Sequence, residues 1–323
     1  MAKFISKPLS ISEEITIAFH MLKFFGTKYN KEIVRELGLS CKDNEFVKFT
    51  VNQFLKWLEF KQVFATPVLY MEQVLGLAER LERVNVLTLV GGLYIEKRYI
   101  CMPNLSSHQQ ASIIWLLAKL GPAHLIAACH EQIYALIGTT KDGDPAIGSG
   151  ILVSENEILT CAHVLNDMSL SHVESFSGEN VEVLQQHPHP EVDVGIVTLR
   201  QNRTYDSGLG FVNPEMLKEV VTIGYPRIPQ SRDNIQVVQR GEIVQANYIN
   251  CFNEELFLFS AIARPGNSGG PVISVDGSVC GIVARDLPKD DTDQHPFFAG
   301  IPTSVIVKAL SEIPTRTKLT IPD

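Results

Sequence analysis

After about residue 125 the sequence changes from helical to strand-like patterning, and this change constrains the fold more than any other feature. From there on, short runs of β-prone residues recur between turn-forming residues. The runs cover residues 132–138, 150–154, 181–184, 193–199, 220–224, 256–259, 272–274 and 279–284. Regularly spaced short strands predict an antiparallel barrel or sandwich.

The segment before this point has the periodicity of amphipathic helices. Between residues 10 and 83, apolar side chains recur at spacings of three and four. Ser12, which precedes two glutamates, is predicted to start the first helix, because a hydroxyl cap and first-turn carboxylates satisfy its free amides. Gly26 and Gly38 are predicted helix ends.

A predicted hairpin follows these helices. Residues 84–90 and 93–100 are β-prone and flank Gly91-Gly92, which is a turn signal. Helices followed by a hairpin are typical of a winged-helix domain.

Two domains are expected, because single cores usually stop growing at roughly 100–200 residues and the chain has 323. The breaker pair Gly121-Pro122 predicts the boundary. Residues 1–121 would form a mainly helical domain and residues 122–323 the β domain, an α+β multidomain chain.

The net charge of −8 is unevenly distributed. Residues 1–120 hold 15 basic and 11 acidic side chains, whereas residues 121–323 hold 13 basic and 25 acidic ones. The acidic part disfavours nucleic-acid binding there, and the mildly basic part leaves this question open.

The N-terminal stretch MAKFISKPLSISEE lacks the apolar core of a signal peptide, and no run approaches the roughly 18 apolar residues of a membrane span. A cytoplasmic protein with no membrane association is expected. The six cysteines are widely spaced and form no CxxC pair, which favours free thiols over disulfides or a structural zinc site.

The stretch Pro265-Gly266-Asn267-Ser268-Gly269-Gly270-Pro271 carries the strongest chemical signal. Three glycines around one serine predict a tight turn that exposes the Ser268 hydroxyl. Such a turn can aim the amides of Gly266 and Ser268 at one point, as an oxyanion requires. A glycine-rich hairpin turn without chemistry is the alternative.

Two further residues complete a catalytic set. His163 follows an apolar run, and Asp193 begins one. Alone, the first fits a buried core histidine and the second a charge at a strand edge. Together with Ser268 they meet the needs of a serine nucleophile, which requires a base, and of the base, which requires an acceptor to fix its tautomer.

At this point the sequence resembles the trypsin-like serine peptidases, and within them the HtrA (Deg) branch. The resemblance runs from about Ile133 to Leu310 and rests on six motifs in the family's order. They are Gly148–Val153, Ile158–Val164, Val192–Leu199, Val221–Pro226, Ala261–Pro271 and Ala299–Ser304.

This resemblance implies two six-stranded antiparallel barrels with the catalytic cleft between them. His163 and Asp193 would belong to the first barrel and Ser268 to the second. The resemblance also implies a bacterial serine endopeptidase that cleaves protein or peptide substrates and needs no cofactor or metal.

The sequence departs from this family in two ways. Only about a dozen residues follow Leu310, so the family's C-terminal PDZ domain is not expected here. Asn267 stands where secreted trypsins have the aspartate that pairs with a freed N-terminus, so activation by cleavage is not expected.

The predicted substrate pocket is walled by Ile262, Arg264, Ala284 and Arg285. In the trypsin pattern an aspartate at the position of Ile262 selects basic side chains, so a basic P1 residue is not expected. A small or apolar P1 residue is the default, and either arginine would favour an acidic one.

Two patterns in the sequence resemble metal sites, but neither is predicted to bind a metal. His187, His189, Glu191 and Asp193 alternate like ligands, but the set breaks if Asp193 supports His163. Residues 289–293 are acidic but lack the glycine and distal glutamate of a calcium loop, which favours a solvated surface loop.

Residues 1–121 are predicted to bind a regulatory protein partner that directs or licenses cleavage. Two alternatives stay open: a catalytically silent protease fold, and a DNA-binding winged helix built on residues 31–39 and 46–60. The second of these segments offers Lys48, Asn52, Gln53 and Lys56 but no arginine, so protein recognition is favoured. The oligomeric state is left open.

Overall fold

A computed structural model describes residues 8–40, 42, 46–64, 66–103, 105, 112–205, 209–284 and 298–321. The chain divides into two compact units. One comprises Met1–Gln110 with Lys119–His124, and the other Ala111–Ala118 with Leu125–Asp323. Since residues 111–124 contribute to both units, a single boundary after residue 121 stays a prediction.

The first unit is mainly helical, as predicted. Its helices are α1 (Ile11–Phe25), α2 (Asn30–Glu36), α3 (Val51–Phe60) and α4 (Met71–Arg83), with a 3-10 helix at Pro67–Tyr70. The core is aromatic, because the Phe24 ring lies 4.7 Å from Phe49, 5.2 Å from Phe54 and 5.3 Å from Trp57, centroid to centroid. No helix within the described ranges is long and apolar enough to cross a membrane.

Helix α1 begins at a different cap from the predicted one. Ser10 precedes the helix and its hydroxyl accepts the Glu13 N–H at 3.2 Å, while the Glu13 carboxylate accepts the Ser10 N–H at 2.7 Å. The expectation for Ser12 was wrong because this reciprocal pair requires the spacing Ser-x-x-Glu, which Ser10 has and Ser12 does not. Gly26 ends the helix, as predicted.

The predicted hairpin exists in a shorter form. Strands β1 (Thr88–Gly91) and β2 (Arg98–Ile100) pair antiparallel. Residues Tyr94–Glu96 form a 3-10 helix between them, so much of the predicted second strand is a loop.

Two helices follow in the segment shared by the units, α5 (Ile114–Leu120) and α6 (Pro122–Cys129), then a 3-10 helix at His130–Gln132. The second unit then holds two seven-stranded sheets. The first contains β3 (Ile133–Thr140), β4 (Pro145–Ser154), β5 (Glu157–Thr160), β6 (Met168–Glu174), β7 (Asn180–Val181), β8 (Val183–Pro188) and β9 (Gly195–Leu199). Their order is β7-β6-β3-β4-β5-β9-β8, and helix α7 (Ala162–Asp167) follows β5.

The second sheet contains β10 (Gly210–Phe211), β11 (Glu219–Gly224), β12 (Val237–Ile249), β13 (Glu255–Phe259), β14 (Pro271–Ser274), β15 (Ser278–Val283) and β16 (Phe298–Pro302). Strand β16 pairs with both β13 and β15, which closes six antiparallel strands into a barrel. Strand β10 adds to β15 in parallel, and helix α8 (Thr303–Leu310) follows.

The predicted chymotrypsin-like fold is confirmed, with one difference. The second sheet is a closed six-stranded barrel, whereas no ladder between β7 and β8 closes the first sheet within the residues described. Each predicted β-prone run after residue 125 overlaps a strand.

A buried carboxylate fixes the C-terminal segment to β5. Glu157 is 3% exposed and accepts hydrogen bonds from Thr315 Oγ1, Arg316 N–H, Thr317 N–H and Thr317 Oγ1 at 2.5–3.0 Å. Burial by itself raises the pKa of Glu157, but these hydrogen bonds outweigh it and hold the pKa below its usual range.

This lowered pKa makes stability depend on pH. The folded protein binds the Glu157 proton less readily than the unfolded chain, so the stabilisation is present above the unfolded pKa of about 4.5 and is lost as pH falls through the lower folded value. Glu157→Gln is expected to lower the free energy of unfolding by about 1–3 kcal/mol at pH 7. Urea titrations at neutral and acidic pH should show this difference shrinking in acid.

A matched control for this measurement is Glu182→Gln. The Glu182 side chain is 63% exposed and pairs with Arg200, and removing such a surface pair changes stability by at most about 0.5 kcal/mol. An equal loss for Glu157→Gln at both pH values would contradict the account.

Candidate active site

His163 and Asp193 are brought together by the pairing of β5 with β9. The two strands run antiparallel with Thr160 opposite Gly195. His163 lies three residues beyond the end of β5, and Asp193 two residues before the start of β9, so both lie at the same end of the pair. Strand register therefore determines this contact.

The Asp193 carboxylate binds both the ring and the backbone of His163. His163 Nδ1 lies 2.8 Å from Asp193 Oδ2 and 3.0 Å from Oδ1, and the His163 backbone N–H donates to Oδ1 at 2.8 Å. Because a carboxylate only accepts, Nδ1 carries the hydrogen. This leaves Nε2 of the neutral ring as the acceptor, which is the form a general base needs.

Ser268 lies in the loop between β13 and β14. The Asn267 N–H donates to the Arg264 carbonyl at 2.9 Å, and Gly266 has φ +102°. This hydrogen bond and a glycine with positive φ at the third position are the features of a type II turn. A Cβ at position 266 would lie 2.5 Å from the Tyr225 carbonyl oxygen, so only glycine fits there.

The amides of Gly266 and Ser268 donate to no acceptor within the residues described. The Pro265 carbonyl accepts the Arg227 N–H at 3.1 Å. In a planar trans peptide the N–H points opposite to the C=O, so the Gly266 N–H is directed away from Arg227. Two unpaired donors beside a serine are what an oxyanion site requires.

Ser268 and His163 line one cavity of about 240 Å³, together with Gly266 and Pro265. No hydrogen bond joins the Ser268 hydroxyl to the His163 ring in the described part of the chain. Catalytic hydrogen bonds in substrate-free sites are often long and tighten only in the complex. The structure thus brings the three predicted residues to one site with the histidine–aspartate contact formed.

Ser149 is a site residue that the sequence reasoning missed. It is fully buried, and its hydroxyl donates to the Gly266 carbonyl at 2.7 Å and accepts the Tyr225 N–H at 2.8 Å. Its backbone N–H donates to the Ser268 carbonyl at 2.9 Å. The available signal was a serine between two glycines inside an apolar strand, which indicates a polar contact made by the strand.

Asn267 is buried, being 4% exposed, and its Oδ1 has no hydrogen-bond partner within the described residues. The absence of cleavage-dependent activation stays a prediction.

The four pocket candidates lie in different environments. Ala284 is buried and lines a larger cavity that also reaches His163 and Asp193. Ile262 is 47% exposed and Arg264 is exposed, and neither lines the two cavities described here. Arg285 and residues 289–293 lie outside the described residues. The substrate pocket stays a prediction.

The alternating set at 187–193 is not assembled as a metal site among the described residues. A different group of three ligand-type side chains lies close together in the described residues. It comprises Cys161, His163 and Asp193, whose ligand atoms lie within 4.8 Å of one another. Cys161 is fully buried with its Sγ 3.2 Å from the Val283 carbonyl oxygen, and the other two bind each other. The group is thus explained by contacts within the protein.

Comparison with known proteins places this site in a family. Residues 148–282 match the model of the trypsin-like peptidase domain. The predicted resemblance to trypsin-like serine peptidases is confirmed for this part of the chain.

Individual relatives cover parts of the chain. A probable periplasmic serine endoprotease DegP-like of Chlamydia pneumoniae is 30% identical over 143 residues. The match covers 42% of this chain but only 28% of that protein, so the chain spans little more than a quarter of its relative.

Solved structures give similar matches. The active form of the Rv3671c protease from M. tuberculosis is 19% identical with a TM-score of 0.49, covering 60% of this chain and 86% of that one. An inactive form of the Rv3671c protease is 20% identical with a TM-score of 0.47, covering 59% and 92%.

The role of Ser149 in this domain can be measured with a fluorophosphonate, which labels activated serines. Ser149→Ala removes the donor to Gly266 and leaves the Tyr225 N–H unpaired, so we expect the nucleophile loop to shift. The labelling rate should fall by about 10²-fold, the loss that follows when an oxyanion donor or a reacting group is misplaced.

The same strand offers a control, Ser154→Ala. The Ser154 hydroxyl is buried and has no hydrogen-bond partner among the residues that the structure describes, so its removal should leave both labelling and stability close to wild type. Equal labelling of the Ser149 and Ser154 variants would show that the hydroxyl of residue 149 does not hold the loop.

Proposed function

We propose that this chain is a serine endopeptidase that uses His163, Asp193 and Ser268 as a catalytic triad. The observation that carries the proposal is the His163–Asp193 contact at 2.8 Å. It lies on the cavity that is also lined by Ser268 and Gly266, whose amides have no acceptor among the described residues. A base with a fixed tautomer beside a serine and unpaired donors is suited to acyl transfer.

The reaction follows from these groups. His163 Nε2 takes the Ser268 proton as the hydroxyl oxygen attacks a peptide carbonyl, and Asp193 stabilises the imidazolium that forms. The Gly266 and Ser268 amides stabilise the tetrahedral oxyanion. His163 returns the proton to the leaving amine, which breaks the peptide bond and leaves an acyl-enzyme. Water, activated by His163, then hydrolyses the ester and restores Ser268.

Ser268→Ala is expected to abolish peptide hydrolysis and fluorophosphonate labelling without changing folding. In template enzymes loss of the serine costs on the order of 10⁶ in turnover. Asp193→Asn should lower turnover by about 10⁴, because an amide no longer enforces the required tautomer. Turnover is measured on fluorescein-labelled casein and folding by thermal melting, with Ser154→Ala as the control.

Two outcomes would contradict the triad. Persistent labelling of Ser268→Ala would place the reactive group elsewhere. A wild type that stays unlabelled while folded would favour the alternative, a catalytically silent protease fold.

We also propose that residues 1–121 bind a regulatory protein partner. The first unit exposes large apolar side chains, among them Leu93 at 83% and Val68 at 63%, as partner surfaces do. Two of the side chains considered for DNA contacts already have partners, since Gln53 caps α3 and Asn52 Nδ2 lies 3.3 Å from a Glu96 carboxylate oxygen. Cytoplasmic location remains the sequence prediction.

Fluorescence anisotropy separates this proposal from DNA binding. A labelled duplex of about 30 base pairs should show no binding to the full chain between about 50 and 200 mM salt. The physical reason is that the first part of the chain is only mildly basic, with 15 basic and 11 acidic residues in 1–120. Tight binding that weakens steeply with salt would favour the DNA-binding winged helix.

A further inference from the structure

The loop that presents Asp193 is built around a buried histidine. Residues 189–194 connect β8 to β9, and His189 within them is 4% exposed. The reaction proposed above uses Asp193 but not His189. A buried imidazole next to the triad must have its ring nitrogens satisfied, and its partners indicate what it does.

Both ring nitrogens of His189 are occupied. Nδ1 accepts the backbone N–H of Glu191 at 3.1 Å and of Val192 at 2.9 Å. Nε2 lies 3.1 Å from Glu312 Oε2, just beyond helix α8. Because Nδ1 accepts two N–H groups, it carries no hydrogen, so the hydrogen is on Nε2 and is donated to the carboxylate.

The backbone of His189 holds the other side of the same loop. Its N–H donates to the Val194 carbonyl at 2.8 Å, and the Val194 N–H donates to the Val192 carbonyl at 2.7 Å. The residues before and after Asp193 are therefore both bonded to His189, the first through its ring and the second through its backbone. These hydrogen bonds hold the backbone of the loop on both sides of Asp193.

We propose that His189 is a positioning residue, which holds Asp193 in place for His163 while Glu312 fixes the His189 tautomer. The inference rests on the proposed function, since it assigns Asp193 its catalytic use.

The expected size of the effect follows from geometry. Without an acceptor at the Nδ1 position, the N–H groups of Glu191 and Val192 lose their partner and the loop relaxes toward water or other acceptors. A shift of 1 Å at a catalytic group costs about 10²-fold in rate. The loss should appear in kcat rather than KM, because Asp193 acts on the chemical step.

Two substitutions that replace His189 by a side chain ending in an amide test the positioning role and keep the residue polar. His189→Asn places a carbonyl oxygen where Nδ1 was, and asparagine is well suited to accept the N–H groups two and three residues on. His189→Gln instead reaches toward Glu312 and leaves the Nδ1 position empty. We expect His189→Asn to keep kcat within a factor of about ten and His189→Gln to lose about 10²-fold.

The kinetic assay uses the full chain and the fluorogenic peptide that the wild type cleaves best in a library. His187→Ala is the matched control, because that histidine lies two residues away and its ring hydrogen-bonds only to Gln185 within the described part of the chain. Its kcat should equal that of the wild type. Thermal melting of each variant reports stability separately.

A readout that does not need activity is the downfield proton resonance of His163 Nδ1–H bound to Asp193. It should be present in the wild type and in His189→Asn, and be lost or shifted upfield in His189→Gln. If the resonance behaves this way but the wild type neither cleaves nor labels, the proposed function fails and the positioning role stands.

The inference is overturned if His189→Gln keeps both kcat and the His163 resonance. It is also overturned if the Asn and Gln variants lose kcat equally while melting like the wild type. Should His189→Gln not fold, Glu312→Lys replaces it, because Glu312 is 51% exposed and a cation there opposes the Nε2–H. The Glu312→Lys variant should lower kcat and leave KM unchanged. An unchanged kcat in this variant would also overturn the inference.

Discussion

The candidate active site depends on the buried hydroxyl of Ser149, which links the two sheets of the second unit. It bonds the Tyr225 N–H on one side and the Gly266 carbonyl on the other, and the Ser149 backbone bonds the Ser268 carbonyl. In a low-dielectric interior an unpaired polar group is costly. The nucleophile loop is therefore stable in the one arrangement that pairs these groups.

The glycines of the loop follow from the same close contact. A Cβ at Gly269 would lie 2.3 Å from the Ser149 carbonyl oxygen, and one at Gly270 would lie 2.5 Å from the Ile223 carbonyl oxygen. The loop and the strands beneath it approach backbone to backbone, with no room for side chains. The glycines of the motif around Ser268 are thus mainly a steric requirement, and in the proposed mechanism only its serine acts as a nucleophile.

Sequence patterns predicted those structural elements that depend on residues close together in the chain. Apolar runs such as 220–224 became buried strands, whereas β12, a 13-residue strand whose side chains are mostly exposed, has no apolar run and was missed. The choice of Ser12 over Ser10 failed on a reciprocal pair three residues apart. The roles of Ser149 and His189 were missed because their partners are backbone groups or residues far along the chain, which a local pattern such as a serine between two glycines does not identify.

The two parts of the proposed triad, the His163–Asp193 pair and Ser268, differ in how the chain determines their positions. The His163–Asp193 contact follows from the β5–β9 register and from a loop that His189 closes, so most of its determinants lie within about 35 residues. Ser268 comes from the other barrel, and the hydroxyl that joins its loop to the first sheet belongs to a residue 117 positions before Gly266. This long-range contact requires the two sheets to pack against each other, whereas the histidine–aspartate contact is made within the first sheet. The buried hydrogen bonds of Ser149 then determine the position at which the serine meets that pair.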